Sequence, residues 1–397
     1  MDADYVIVGA GCAGLSLAAH LAARGLGGRR LTVVDPRTEF ARDRTWCFWG
    51  VHDHLFAGAV THRWPRWRVR APGADVVCGP GRYAYQHLPA DRFYAAALAR
   101  LRATPGVRLL LGARAGEVVD EGGHVRVETD RGPVRARAAF DSRAVDVRPA
   151  DGRRGDVHLA QQFVGLFVRA DRPAFDPGTA TLMHFGEPGD PDGAGGIRFT
   201  YLLPFTPHDA LVEATVFAAD AVPDDELRRR ALAYLAAHHP GAAFAVLGTE
   251  RGRLPMTTAR AERRPSPRVY RLGVAGGLAR PSTGYAFLAI QRDAAELARR
   301  LAAATLGTGA AGLPDAPRPR GARATVLDRV FLSYLRRHPA RAPELFTRLF
   351  ARAPADAVVR FLSETGTAAD EARVVGALPF WPFAAEAARS AGAWLRA

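Results

Sequence analysis

Tyr5-Val6-Ile7-Val8-Gly9-Ala10-Gly11-Cys12-Ala13-Gly14-Leu15-Ser16-Leu17-Ala18-Ala19-His20-Leu21 reads as a strand, a glycine-rich turn and a helix. A second apolar run, Leu31-Thr32-Val33-Val34, ends in Asp35. Together they form the dinucleotide fingerprint in its full βαβ context. Gly9 permits the tight turn, Gly11 lets the backbone approach a pyrophosphate, and Gly14 lets the helix pack against the strand. The helix N-terminus adds free N–H groups and a partial positive charge for phosphates. Asp35 follows Gly14 by 21 residues, near the spacing of a carboxylate that accepts from a ribose hydroxyl. The competing reading is an ordinary glycine-rich βα turn without a ligand.

Outward from this stretch, 397 residues with a hydrophobic fraction of 48% are enough for two or three domains with a sizeable core. Cys12, Cys47 and Cys78 have neither metal-ligand spacing nor the makings of a disulfide framework, which fits a reducing cytosol. The first apolar run is the strand itself, preceded by Asp2 and Asp4, so no signal peptide is expected. No run approaches the roughly 18–20 apolar residues of a spanning helix. The net charge of +14 comes from arginine without lysine. Two explanations stand: a high-GC coding bias, or attraction to anionic lipid. Nucleic-acid modules are absent from the motifs, and no metal site is expected.

Alternating segments at 64–88 predict strands, including Trp67-Arg68-Val69-Arg70, and Asp91 predicts a helix over 92–102. Strands are expected at 107–111, 116–119 and 124–129, residues 133–140 lead up to Asp141-Ser142-Arg143, and a β-rich stretch follows over 161–218 with a Pro/Gly/Asp loop at 187–196. A helix follows at 224–238, a strand at 270–275, and after Pro281 a long amphipathic helix through about Ala304. After a Gly/Ala/Pro linker at 307–323, the remainder reads as helical.

A nucleotide domain interrupted by a β-rich insert and completed by Leu272-Gly273-Val274-Ala275-Gly276-Gly277 and Pro281-Ser282-Thr283-Gly284-Tyr285 resembles the flavin-binding fold of p-hydroxybenzoate hydroxylase and its relatives. The fold class this implies is α/β: a Rossmann-like FAD-binding domain with an inserted β-sheet substrate domain and a helical C-terminal region. The FAD-binding domain would comprise 1–145 and 256–305, the substrate domain 146–255, and the helical, membrane-facing region 306–397. The hydroxylases carry Gly-Asp in the late motif, where this chain has Gly273-Val274.

Further segments narrow the resemblance. Arg42-Asp43-Arg44-Thr45-Trp46-Cys47-Phe48-Trp49, Phe140-Asp141-Ser142-Arg143 and Gln161-Gln162-Phe163-Val164-Gly165 are three of them. Arg198-Phe199-Thr200-Tyr201-Leu202-Leu203-Pro204-Phe205 followed by Ala210-Leu211-Val212-Glu213-Ala214-Thr215 is the most informative pair. Glu250, Leu254-Pro255-Met256-Thr257, Pro281–Phe287, Gln291, Phe361-Leu362 and Leu378-Pro379-Phe380 continue the pattern. As a set they resemble the lycopene cyclases, flavoproteins that fold the ends of a linear carotene into rings.

That resemblance implies an acid-initiated cyclisation of lycopene ends to β-ionone rings, without net redox, using reduced FAD with NAD(P)H as reductant. Glu213 would be the general acid, since an acid in an apolar pocket keeps its proton. A strand-edge glutamate facing water is the plain alternative. The cofactor residues implied are Gly9, Gly11, Gly14, Asp35, Arg44, Gly276, Gly277, Ser282, Thr283 and Gly284. Phe199, Tyr201, Phe205, Phe217, Tyr285 and Phe287 are candidates to stabilise a carbocation through their ring faces, or simply to pack the core. The family leads one to expect an acid near 182–185, where this chain has His184. An insoluble carotene requires membrane access, so a peripheral location at the inner face of the cell membrane is expected. Val326, Phe331, Leu332, Tyr334, Leu335, Phe346, Leu349 and Phe350 among arginines suit either an interfacial helix or packing on the core. The competing activities on this scaffold are a flavin monooxygenase or a prenyl-chain reductase, and outside catalysis a carotenoid carrier.

Overall fold

A computed structural model describes residues 1–143, 156–186, 195–304 and 313–394. The domain boundaries expected after 145 and 305, the loop at 187–194 and the linker at 307–312 lie outside the described residues. In chain order the first half holds β1 (Ala3–Val8), α1 (Cys12–Arg24), β2 (Leu31–Asp35), β3 (Thr45–Trp49), β4 (His62–Trp64), β5 (Arg66–Ala71), β6 (Ala74–Cys78), β7 (Tyr85–Pro89), α2 (Ala90–Arg102), β8 (Val107–Leu111), β9 (Ala115–Asp120), β10 (Val125–Thr129) and β11 (Val134–Asp141). There follow β12 (His158–Ala170), β13 (Thr179–His184), β14 (Ile197–Pro204), β15 (Asp209–Ala218), α3 (Asp224–His238), β16 (Phe244–Thr257), β17 (Val269–Arg271) and α4 (Phe287–Ala303). The C-terminal helices are α5 (Ala322–Arg337), α6 (Ala342–Arg352), α7 (Ala355–Leu362), α8 (Ala368–Ala377) and α9 (Phe380–Trp394).

The first sheet runs β8-β2-β1-β11-β10-β9, with β17 parallel to β11. Strand β1 is parallel to both of its neighbours and buried on both faces, as a central strand of a parallel sheet must be. The two-residue period divides its side chains: Tyr5 and Ile7 pack with α1, α2 and α4, while Val6 and Val8 pack with the β9–β11 meander.

The second sheet runs β16-β12-β15-β14-β13-β5-β6. Residues 66–78 thus pair with the inserted sheet, β5 lying parallel to β13. One face, with Val164, Leu166, Val212 and Val216, packs on Leu227, Ala231, Tyr234 and Leu235 of α3. The opposite face, through Phe199, Leu211 and Phe217, joins the core shared with the C-terminal helices.

Two expected elements are shorter than the sequence suggests. The strand at 270–275 ends at Arg271, because Leu272–Leu278 closes into tight turns, with Gly276 N–H donating to Leu272 O and Leu278 N–H to Gly273 O. The long helix expected after Pro281 begins only at Phe287. Gly284 N–H closes a turn on Arg280 O at 2.8 Å, and Gly284 itself has φ +71°, a left-handed conformation that no helix accommodates.

The apolar residues of α5 and α6 turn inward for the most part. Leu332, Leu335, Leu345, Phe346, Leu349 and Phe350 are buried. Among the described residues of this region, the exposed large apolar side chains are Val326, Val375, Phe380 and Trp381, the last two 71% and 79% exposed. No helix among the described residues is long and apolar enough to cross a membrane.

Candidate active site

A cavity of about 1470 Å³ runs from the Gly11-Cys12 turn, past Arg44 and Thr283–Phe287, to Tyr201, Glu213 and Phe217, and on to Phe331, Phe346, Val375, Phe380 and Phe383. It is larger than the roughly 300–1,000 Å³ of most small-molecule pockets. One continuous space therefore serves the nucleotide turn, the β-sheet face and the C-terminal helices.

At its first end the turn has the build of a dinucleotide cradle. Gly9 has φ +94°. A Cβ at Gly14 would stand 2.0 Å from Gly9 O, whereas one at Gly11 would meet nothing within 4 Å. Helix packing thus excludes a side chain at Gly14, and the space beside Gly11 is open to a ligand. Ser142 braces the turn, its Oγ donating to Val8 O and Gly9 O. Asp35 is buried, and its oxygens accept from Ala10 N–H (2.6 Å) and from Arg37 N–H, Nε and Nη2. Burial would raise its pKa, but the bonds from Arg37 and Ala10 outweigh this and lower it. A ribose hydroxyl reaching Asp35 would displace Arg37, which itself lines the cavity.

Arg44, Ser282, Thr283 and Gly284 also line the cavity. Ser282 Oγ donates to Asp328 Oδ1 at 2.6 Å, and the buried Arg280 pairs with the same carboxylate at 2.9 Å. Gly276 and Gly277 are not brought to the cavity wall. A Cβ at Gly276 would stand 2.4 Å from Arg271 O, so this glycine is required by the turn after β17.

Glu213 lies midway along β15 on the cavity face of the second sheet. Its register partners are Tyr201 on β14 and Gly165 on β12. It is 6% exposed, so the water-facing reading fails. Burial raises its pKa, the nearby Glu250 adds to this, a hydrogen bond from Thr215 at 2.7 Å opposes it, and the net result is about 8. Glu250, on β16, is opposite Gly165 on its other side. Burial pushes Glu250 up to about 7 against the Thr45 hydroxyl, which donates to it at 2.8 Å, and against Arg42 and Arg44. A neutral carboxyl facing an apolar, aromatic cavity can deliver a proton to a weakly basic group that water would not protonate.

Five of the six candidate aromatic residues line the cavity: Phe199, Tyr201, Phe217, Tyr285 and Phe287. Phe205 instead packs against Trp64 and His87. Tyr85 and Tyr201 share a hydrogen bond between their hydroxyls at 2.9 Å, and burial raises both phenols well above their ordinary pKa. His184 is on the other face, with Nδ1 3.3 Å from the Tyr234 hydroxyl of α3. It does not substitute for a cavity acid.

Gly165 and Thr45 lie within family-like segments and Glu250 is a family-like position, but residue type alone gives none of them a role, and Asp328 carries no sequence signal. Glu250 stands between Thr249 and Arg251, where local polarity hides its burial. Its significance comes from the strand pairing.

A family model described as "Lycopene cyclase protein" matches residues 4–388. A lycopene beta-cyclase of Pantoea ananas is 27% identical over 295 residues, covering 71% of this chain and 70% of that protein. One from Paracoccus sp. is 30% identical over 292 residues, covering 67% and 71%. Among solved structures, a geranylgeranyl bacteriochlorophyll reductase-like protein from Thermoplasma acidophilum superposes with TM-score 0.60 at 12% identity, covering 98% and 99% of the two chains. The flavin-dependent monooxygenase PieE, in complex with FAD and substrate, gives 0.58 at 17% identity, covering 99% and 72%. These likenesses establish the p-hydroxybenzoate hydroxylase type of fold.

Proposed function

Because the chain belongs to the lycopene cyclase family, we propose that it is a lycopene β-cyclase that closes β-ionone rings at the ends of lycopene by acid initiation, with reduced FAD and no net redox. The observation that carries this reading is Glu213, a buried carboxyl kept protonated near neutral pH on the wall of an aromatic cavity.

The residues present fit FAD. Open space at Gly11, the excluded Cβ at Gly14 and the α1 N-terminus suit its pyrophosphate. Arg44, Ser282, Thr283 and Gly284 would hold the remainder. When bound, a flavin kept reduced by NAD(P)H would supply electron density to a developing cation. Glu213 gives its proton to a terminal C=C bond, a nearby double bond attacks the tertiary cation, and loss of a neighbouring proton completes the ring. Tyr201, Phe217 and Tyr285 contribute cation–π attraction of roughly 0.5–2 kcal/mol each and present no strong nucleophile to trap the cation.

The cavity's far end, beside Phe380 and Val375, supports entry of a carotene end from a membrane surface. Expression in cells that accumulate lycopene tests the activity. Cyclised carotenoid is the expected product, and unchanged lycopene beside flavin-loaded protein would overturn the reading. Stoichiometric consumption of reduced nicotinamide would instead favour a monooxygenase or a prenyl-chain reductase.

A further inference from the structure

We propose that Glu250 is a positioning residue for Glu213: the two carboxyl side chains share the gap above Gly165, and the Glu250 carboxylate holds the transferable proton on Glu213. This rests on the reading of Glu213 as the acid.

The geometry is that of three adjacent strands. Gly165 of β12 is opposite Glu213 of β15 and opposite Glu250 of β16. Residues directly opposite one another project to the same face. Two strand spacings separate the glutamate backbones by about 10 Å, and any side chain at 165 would stand between them. A Cβ there would lie 3.2 Å from Glu250 Cγ, 3.6 Å from Glu213 Cβ and 2.9 Å from Leu211 Cδ1. The Glu250 side chain therefore leans over the glycine toward Glu213.

The surroundings of the two carboxyls differ. Glu250 accepts from the Thr45 hydroxyl, feels Arg42, Arg44 and Asp43 from the segment leading into β3, and does not line the cavity. Glu213 lines the cavity and accepts from the Thr215 hydroxyl. Tyr201 is its register partner on β14, and Cys47 on β3 is close enough for both glutamates to raise its thiol pKa, after burial. When the pair carries one negative charge, the arginines and Thr45 draw it to Glu250. Two like charges this close do not both form readily, so the proton remains on Glu213. In turnover the Glu213 O–H bond breaks as the substrate C–H bond forms. The proton released on ring closure passes to solvent, and solvent reprotonates Glu213 before the next ring, so the balance per ring is zero.

The test uses flavin-loaded, reduced protein and two readouts. The first is infrared titration of the protonated-carboxyl band that E213Q removes. The second is the pH profile of cyclisation. E250Q deletes the neighbouring charge, so the Glu213 midpoint and the alkaline limb of the rate should both fall by about one pH unit. E250D retains the charge and should restore both. G165A, which wedges a methyl between the carboxyls, should act in the direction of E250Q. A Glu213 midpoint unchanged in E250Q would overturn the pairing, as would a rate loss with the limb in place. A midpoint that moves while wild-type protein makes no ring product would overturn the function reading instead.

Discussion

The Ser282 hydroxyl donates to Asp328 at 2.6 Å, which ties the turn that would flank the cofactor to helix α5. Asp328 is 1% exposed and also pairs with the buried Arg280, whose Nη1 donates to Phe361 O. Replacing one member of such a pair leaves a buried charge uncompensated. Asp328→Ala should destabilise the protein by about 3–5 kcal/mol, measured by urea unfolding, and should weaken flavin retention.

Gly11 and Gly14 separate ligand contact from folding. At Gly11 an added methyl meets nothing in the protein. Gly11→Ala should therefore unfold at nearly the wild-type temperature but lose flavin absorbance after gel filtration. At Gly14 the methyl collides with Gly9 O. Gly14→Ala should lower stability even without flavin, by about 1–3 kcal/mol, as overpacking does.

Burial of two neutral glutamates makes stability fall with rising pH. Glu213 and Glu250 are raised from 4.5 to about 8 and about 7. Between pH 4.5 and those values the folded state binds more protons than the unfolded chain, so unfolding free energy declines as pH rises. Their favourable contribution is complete below pH 4.5 and is lost as pH passes about 8. Thermal melts from pH 5 to 9 should show a decline that flattens in Glu213→Gln. Parallel curves for the two proteins would contradict the assignment.

Trp381 is 79% exposed on α9, next to Phe380 at the cavity's far end. If this end meets lipid, Trp381→Glu should reduce co-sedimentation with anionic vesicles several-fold while leaving cyclisation of detergent-solubilised lycopene near wild type. Equal sedimentation of the two proteins would remove this surface from the membrane role.

The nucleotide half was legible because its signal is local. Tyr5–Gly14 carries strand, turn and helix within a few residues, and each glycine has one steric reason. Glu213 was found through a motif, and its burial follows from nonlocal pairing with Gly165 and Tyr201. Glu250 escaped a role because its neighbours along the chain are polar, whereas its burial comes from Gly165, Glu213 and Thr45, all remote in sequence. The α5 and α6 helices show a limit of periodicity. An apolar stripe among arginines reads alike for a lipid-facing and a core-facing helix, and only the packing of α6 against β5 and β6 and of α5 against α9 distinguishes them. Asp35 had the expected spacing, but nothing in the sequence announced that Arg37 would occupy its oxygens.

The most direct test of the central claim is the mass of the ring product formed by purified, flavin-reduced protein from lycopene in D₂O. Acid initiation through an exchangeable Glu213 proton predicts deuterium at one carbon of every new ring, and no ring product from Glu213→Gln with its flavin intact. Ring product free of deuterium, or turnover by Glu213→Gln, would contradict it.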